Sequence, residues 1–205
     1  MRGVIMNPSP MRIGIIGGTF DPPHKGHLAI ADAARQQLEL DEVLFVPSNR
    51  NPLKTVKSSP AKDRLEMVRR AIAGHEHFAV SDIEIARGGP SYAYDTVSEL
   101  VYIRPAEYWW ILGSDALKTF EQWRQPDKLS RLCRLAVAVR PPTTLRDVQD
   151  RTSDWLIPRI DWLVLPPSEI SSTDIRLRIQ ANKPVANLMP STVLDYIHER
   201  KLYQN

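Results

Sequence analysis

Two histidines and a lysine lie where a glycine-rich turn meets the start of a predicted helix. His24 and His27 are three residues apart, with Lys25 between them. Imidazole and ammonium groups can donate hydrogen bonds to an anion. The unpaired N–H groups and the dipole of a helix N-terminus also favour phosphate. This pattern predicts a phosphate-binding site at the helix start.

The neighbouring residues predict the elements that position this site. The β-branched run at 13–16 is typical of a buried parallel strand. Gly17 and Gly18 follow, where we expect the backbone to turn sharply or to approach a ligand closely. Residues 28–38 have the apolar spacing of a helix. A strand, a turn and a helix start are therefore expected in that order.

The glycine spacing matches neither of two common nucleotide-binding motifs. A dinucleotide fingerprint requires G-x-G-x-x-G, and a P-loop requires G-x-x-x-x-G-K-[ST]. Residues 17–27 read GGTFDPPHKGH instead. This run closely resembles the G-G-[ST]-F-[DN]-P-x-H-x-G-H signature of bacterial nicotinate-nucleotide adenylyltransferases. Its H-x-G-H portion alone is shared with the wider nucleotidyltransferase superfamily.

A second signature follows the last predicted strand. Residues 170–176 read ISSTDIR and resemble the family's I-S-S-T-x-x-R. A hydroxyl residue at a helix start is a routine cap, which alone would explain Ser171. The resemblance implies that Ser172, Thr173 and Arg176 bind the triphosphate, where a guanidinium makes a two-pronged contact.

The resemblance, which spans about residues 11–203, implies roles for a larger set of residues. The implied catalytic residues are His24, His27 and Arg176. The implied ligands of ATP and its phosphates are Gly17, Gly18, Thr19, Phe20, Lys54, Gly113, Asp115, Ser172 and Thr173. The implied ligands of the nicotinate nucleotide are Tyr92, Ala93, Trp123 and Arg124. Mg²⁺ is expected to enter with ATP, and no protein residue is predicted as a metal ligand.

Several of these residues have a second interpretation. Asp115 could cap the helix that starts beside it, and Trp123 could be a core residue instead of a stacking platform for the pyridine ring. Arg124 could point to solvent. Three positions depart from the family pattern, because Leu53 replaces a histidine, Ala93 a threonine and Arg124 a tyrosine.

The order of predicted elements indicates an α/β fold with a doubly wound, mostly parallel sheet, a Rossmann-like nucleotidyltransferase fold with a C-terminal helical segment. Residues 1–10 are expected to form a flexible leader and 11–205 a single domain. Within it, residues 78–80 and 83–85 are predicted as a bent strand, 145–155 as a helix, and Arg64 as part of a solvated helix face.

Composition narrows the classes of function. The chain has 205 residues, 42% hydrophobic residues and a net charge of +3, too small a charge to indicate nucleic-acid binding. No apolar run approaches the ~18 residues of a membrane span. The single cysteine, Cys133, fits a reducing compartment, so we expect a cytoplasmic protein with no membrane partner. A monomer and a homodimer are both compatible with the sequence.

The resemblance implies adenylyl transfer from ATP to nicotinate mononucleotide, giving nicotinate adenine dinucleotide and pyrophosphate. Another transferase of the same superfamily, such as a phosphopantetheine enzyme, is one alternative. A class I aminoacyl-tRNA synthetase fragment would carry a K-M-S-K-S-like loop, which is absent. A non-catalytic nucleotide sensor would bind ATP without turnover.

Overall fold

The strands of this protein form one sheet. The segment that carries His24 and His27 (residues 19–27, the histidine loop) follows a strand near the centre of that sheet. The computed structural model describes residues 9–53, 58–139, 141–166 and 170–204. The strands among them are β1 (Arg12–Gly18), β2 (Glu42–Pro47), β3 (Phe78–Val80), β4 (Glu107–Gly113), β5 (Arg134–Val139) and β6 (Ile160–Val164). All neighbours are parallel, in the order β3-β2-β1-β4-β5-β6. The predicted doubly wound parallel sheet is confirmed.

Helices cover both faces of the sheet. Within the described residues they are α1 (Lys25–Gln37), α2 (Ala61–Ile72), α3 (Ile83–Arg87), α4 (Ala93–Ile103), α5 (Ser114–Leu117), α6 (Pro126–Leu132), α7 (Leu145–Gln149), α8 (Ser172–Gln180) and α9 (Ser191–Glu199). Successive side chains of a strand point to opposite faces. Accordingly Ile15 packs with Leu100 of α4 on one face, while Ile16 packs with Ile30 and Ala34 of α1 on the other.

A third, smaller apolar cluster packs the C-terminal helical segment against α2. Met67 of α2, Ile175 of α8 and Ile197 of α9 are each at most 1% exposed and share this cluster. The segment that follows α9 joins it through Tyr203. Helix α8, which carries the second signature, is therefore packed against the helix that follows β2.

The strand order reverses direction at β1, which pairs with β2 on one side and β4 on the other. In open parallel sheets a ligand binds beyond the carboxyl ends of the strands at such a reversal. The loops after β1 and β4 both begin there. The histidines, at the start of α1, lie on one of these two loops.

Three local expectations are wrong. Residues 83–85 begin helix α3, in which both Ile83 and Glu84 are buried; three residues are too few to distinguish strand from helix spacing. Helix α7 ends at Gln149, where the predicted helix continued to residue 155. Arg64 is only 1% exposed, so it does not belong to a solvated face.

No helix in the described ranges is long and apolar enough to cross a membrane.

Candidate active site

The two glycines of the first signature are the last residues of β1, and the chain does not turn at them. The residue with positive φ is Phe20, at +50°. Gly17 instead allows a close approach, because a Cβ there would lie 2.6 Å from the indole ring of Trp110 on β4. Of the two alternatives expected at these glycines, the sharp turn is therefore wrong. Close approach to a ligand stays a prediction, since Gly17 and Gly18 line the clefts described below.

The two histidines are held against each other at the start of α1. The backbone N–H of His24 donates to Nδ1 of His27 at 3.2 Å. Their rings stack with centroids 3.7 Å apart, and the Phe20 ring meets His27 edge-on at 5.0 Å. An Nδ1 that accepts a hydrogen bond carries no proton, so this geometry assigns the proton of a neutral His27 to Nε2.

The second signature is bonded directly to the first. Ser172 Oγ donates to the carbonyl of Pro22 at 2.8 Å. Arg176 Nη1 donates to the carbonyl of Asp21 at 2.8 Å, and its Nη2 donates to Thr173 Oγ1 at 3.3 Å. The two predicted phosphate-binding segments, far apart in sequence, therefore form one surface.

Ser171 has the structural role that its position predicts. Its Oγ accepts the backbone N–H of Asp174 at 3.1 Å, which makes it the N-cap of α8. This leaves the next residues, Ser172 and Thr173, to face the cleft beside the cap.

A polar cleft of about 410 Å³ lies between these two segments. Its lining combines residues of both signatures: Gly18, Thr19, Phe20, Asp21, His24, His27, Ser172, Thr173 and Arg176. The N-termini of α1 and α8 both begin at this cleft. Imidazole, hydroxyl, guanidinium and backbone N–H groups converge there, a donor set that suits a phosphorylated ligand.

An apolar cleft of about 460 Å³ adjoins the polar one. Tyr92, Ala93, Trp110 and Trp123 line it, and it shares Gly18, His27 and Asn51 with the polar cleft. A ligand with an aromatic ring at one end and phosphates at the other could therefore span both.

Trp123 has both a core contact and a cleft position, and its stacking on a pyridine ring stays a prediction. It packs on the core through Phe120, at 5.3 Å between ring centroids, and it lines the apolar cleft. The contact with Trp110 is edge-on at 6.3 Å. The indole is thus fixed by the core while remaining available to the cleft.

Arg124 does not simply point to solvent. Its guanidinium lies 4.9 Å above the ring of Tyr92 and donates to Asp95 Oδ2 at 3.1 Å. Both contacts connect it to the start of α4, and it lines the apolar cleft. A cation is therefore held beside the aromatic rings.

One predicted ATP ligand, Asp115, lines neither cleft. Asp115 has 93% of its side chain exposed and pairs with Lys118 at 2.8 Å. It is not a helix cap either, since the N-cap of α5 is Gly113. Gly113 itself does line the apolar cleft. Lys54 lies outside the described residues.

Known proteins with similar sequences support the interpretation of the two clefts as a nucleotide-binding site. The model of the cytidylyltransferase-like family matches residues 15–178. A protein of Synechococcus sp. (strain JA-3-3Ab), named a probable nicotinate-nucleotide adenylyltransferase, is 42% identical over 204 residues, which cover 96% of this chain and 97% of the relative. This chain belongs to the nicotinate-nucleotide adenylyltransferase family.

A second relative has a similar name, and a solved structure has a similar fold. A similarly named nicotinate-nucleotide adenylyltransferase relative from Dehalococcoides mccartyi (strain CBDB1) is 42% identical, covering 94% of this chain and 97% of its own. The Plasmodium falciparum nicotinic acid mononucleotide adenylyltransferase in complex with NaAD superposes with a TM-score of 0.78 at 19% identity, covering 94% of this chain and 97% of that one. The resemblance stated from the two signatures is confirmed.

Three buried polar residues of this adenylyltransferase family member were missed from sequence. Arg64 donates to three backbone carbonyls, those of Ser59 at 2.9 Å, Thr19 at 2.8 Å and Asn49 at 3.0 Å. Burial lowers the pKa of its guanidinium, and nearby Asp21 opposes that shift. The guanidinium thus joins the loops after β1 and β2.

The other two missed residues are carboxylates. Asp21 is 6% exposed and lines the polar cleft. Glu84 is 4% exposed and lines the apolar cleft. Burial raises the pKa of Glu84, while hydrogen bonds from Thr96 and Ser91 act in the opposite direction. A carboxyl group with a raised pKa therefore lies at the edge of the apolar cleft.

The described residues contain no group of three or more histidine, cysteine, aspartate or glutamate side chains that could hold a metal ion. His75 stacks on Phe78 with 4.8 Å between ring centroids, and Nδ1 of His77 lies 3.2 Å from the carbonyl of Asp41. These two histidines lie away from both clefts.

Proposed function

We propose that this protein transfers the adenylyl group of ATP to nicotinate mononucleotide, giving nicotinate adenine dinucleotide and pyrophosphate in NAD biosynthesis. The observation that carries the proposal is the union of both phosphate signatures around one polar cleft that opens into an aromatic one. Membership of the nicotinate-nucleotide adenylyltransferase family supports the same substrates.

The proposed chemistry needs alignment and charge neutralisation more than proton transfer. The nucleophile is a phosphate monoester with a second pKa near 6, so it is mostly dianionic at neutral pH and needs no general base. The protein must hold that oxygen in line with the α-phosphorus of ATP and compensate charge on the triphosphate. His24, His27 and Arg176 have suitable donors at the polar cleft, and preorganised donors act strongly on developing charge.

The apolar cleft suits the pyridine ring. Trp123 offers a flat face on which either nicotinate or nicotinamide could stack, so stacking alone does not distinguish them. The start of α4 supplies backbone N–H groups near Tyr92 and Ala93, and Arg124 supplies a cation. An exocyclic carboxylate is favoured by such donors, whereas an amide would turn its own NH₂ toward them.

Mg²⁺ is proposed to arrive as the magnesium complex of ATP. A protein that offers mostly hydrogen-bond donors to the phosphates is consistent with an ion held by phosphate oxygens and water. When bound, the ion would neutralise negative charge on the triphosphate. Asp21 is the carboxylate that lines the polar cleft. Its oxygens already accept hydrogen bonds from Tyr203 and Ser59.

A cytoplasmic location is proposed because the chain has a single cysteine, Cys133, which fits a reducing compartment. The thiol is 5% exposed, and burial raises its pKa to about 12, which makes it an unreactive core group. A monomer or homodimer without nucleic-acid or membrane partners stays a prediction.

The deciding experiment measures pyrophosphate release from ATP with nicotinate mononucleotide and with nicotinamide mononucleotide. We expect turnover with both and a kcat/KM ratio of roughly tenfold or more in favour of the acid, the scale of one hydrogen bond to a charged group. Equal values would contradict acid specificity. ATP binding without pyrophosphate release would identify a nucleotide sensor. The same assay is repeated with phosphopantetheine, and turnover with that substrate alone would identify the alternative transferase.

A further inference from the structure

The carboxylate of Asp21 lies beside the proposed phosphate site, and each of its oxygens accepts a hydrogen bond from the protein. Its Oδ1 accepts the hydroxyl hydrogen of Tyr203 at 2.6 Å. Its Oδ2 accepts the backbone N–H of Ser59 at 3.2 Å. The backbone carbonyl of the same residue accepts Arg176 Nη1 at 2.8 Å. One buried residue therefore links the histidine loop to three other segments.

We propose that Tyr203 is a positioning residue for the ATP-phosphate site and acts through Asp21. The proposal rests on the proposed function in one respect, that the polar cleft binds the phosphates of ATP. Tyr203 lies on the segment after α9, outside both signatures, and does not line either cleft. Its effect on substrate must therefore pass through the carboxylate.

The carboxylate needs a dedicated donor because its charge has the same sign as the ligand's. An oxygen of Asp21 without a hydrogen bond would be an acceptor in the cleft that binds phosphate. Two cations lie near this point: buried Arg64, whose guanidinium is close enough to feel the charge of Asp21, and Arg176, whose guanidinium lines the polar cleft and already bonds to the backbone of Asp21. A released carboxylate would compete with phosphate for the Arg176 guanidinium, since opposite charges attract strongly where water is partly excluded. The Tyr203 hydroxyl prevents this competition.

The hydroxyl is well suited to the role. Burial, followed by the charge of Asp21, raises the pKa of Tyr203, so the group keeps its proton and remains a donor at any physiological pH. Its oxygen also lies 3.8 Å from Sδ of Met67 on α2. Leu202, beside it, donates its N–H to the carbonyl of Ile197 at 2.9 Å, which ties the segment to α9.

The neighbouring helix α9 provides a matched control. Tyr196 of α9 donates to Asp63 Oδ1 at 2.8 Å, which is a second tyrosine–aspartate bond, here between α9 and α2. Tyr196 is 9% exposed and Asp63 is 3% exposed, and neither lines the polar or the apolar cleft. Tyr196→Phe therefore removes a similar hydrogen bond away from the site.

The first test compares Tyr203→Phe with Tyr196→Phe in the full-length protein. We measure the melting temperature, the Kd of a non-hydrolysable ATP analogue, and kcat and KM for both substrates. Tyr203→Phe should raise the Kd of the analogue and the KM for ATP about tenfold, the scale of one hydrogen bond to a charged group, with the KM for nicotinate mononucleotide nearly unchanged. Tyr196→Phe should change only the melting temperature. Unaltered ATP binding in Tyr203→Phe, or equal losses in both variants, would overturn the proposal.

The second test asks whether the effect passes through Asp21. In an Asp21→Ala background that retains a cooperative melting transition, Tyr203→Phe should cause no further loss of analogue binding, because residues that act as one unit are non-additive. A full additional tenfold loss would show that Tyr203 acts by another route. Analogue binding also separates the two proposals: it tests Tyr203 even if nicotinate mononucleotide proves not to be a substrate.

Discussion

At the scale of single residues, Arg176 shows how a side chain can serve both structure and ligand. Its two terminal nitrogens already donate to Asp21 and Thr173, so the planar fork is oriented before any ligand binds. A preoriented donor loses little conformational freedom on binding phosphate. The guanidinium shape, and not only its charge, is therefore what the site uses.

Arg176→Lys should lower kcat/KM for ATP by roughly tenfold or more, because an ammonium group cannot make two parallel contacts. The melting temperature should change little, since the positive charge remains. Arg178→Lys on the same helix is the control, because Arg178 pairs with Asp174 at 2.7 Å on the exposed face. Steady-state kinetics of the two variants decide the matter; equal activity of both would reduce Arg176 to a surface charge.

The sequence predicted individual residues best where a signature was contiguous. Residues 17–27 and 170–176 include every predicted ligand that lines the polar cleft. Asp115 shows the opposite case, because a glycine–x–aspartate spacing is short and its side chain is exposed and paired with Lys118. The role of Asp21 could not be predicted, because its hydrogen bond to Tyr203 spans 182 residues and leaves no local pattern.

At the scale of elements, the approach of β1 to β4 depends on the missing side chain of Gly17. The Trp110 indole occupies the space where a Cβ would lie, with ring carbons 2.6 and 2.8 Å from that position. Trp110 also lines the apolar cleft and meets Trp123. The absence of a side chain at Gly17 therefore allows the Trp110 indole to occupy its position in the wall of the apolar cleft.

Gly17→Ala should destabilise the protein by about 1–3 kcal/mol, the usual scale of overpacking in a well-filled core. It should also raise the KM for the mononucleotide, because the displaced indole disturbs Trp123. Gly113→Ala is the control for stability, since a Cβ there meets no atom within 4 Å. Urea denaturation of both variants provides the comparison, and equal unfolding free energies would show that the indole shifts without cost.

Helix α2 contained a signal that sequence reasoning did not use. Arg64 precedes Met67, Val68 and Ala71 by three, four and seven residues, which is the spacing of one helix face, and all four are buried. An arginine in an otherwise apolar stripe indicates a buried guanidinium that needs acceptors. Which acceptors it finds could not be inferred, because the carbonyls belong to loops.

At the scale of the whole molecule, the strand positions followed from apolar runs, and the parallel arrangement followed from their alternation with helices. The strand order is supplied by tertiary pairing, since β1 pairs with β4 across an intervening strand pair and four helical segments. Short segments such as 83–85 were misassigned for lack of a full period. Long-range side-chain contacts were beyond the reach of local pattern.

Glu84 should make the free energy of unfolding depend on pH. Its folded-state pKa is raised, so the folded protein holds this proton to a higher pH than the unfolded chain does. The stabilising effect of protonation is complete below the ordinary glutamate value and is lost as the pH rises from there to the raised pKa. Glu84→Gln should therefore gain stability relative to the wild type as the pH increases across this window. Urea titrations at several pH values measure this difference, which Glu76→Gln, at an exposed position, should not show.

The bonds that assemble the polar cleft join residues 150, 155 and 182 positions apart along the chain. During synthesis on the ribosome, the histidine loop emerges long before α8 and the Tyr203 segment. A nascent chain can build much of the sheet and still lack its nucleotide site. ATP can stabilise only a chain in which the late segments have docked, because a ligand stabilises only the state that it binds. Binding of ATP at the polar cleft thus reports that the C-terminal segments of this protein have docked.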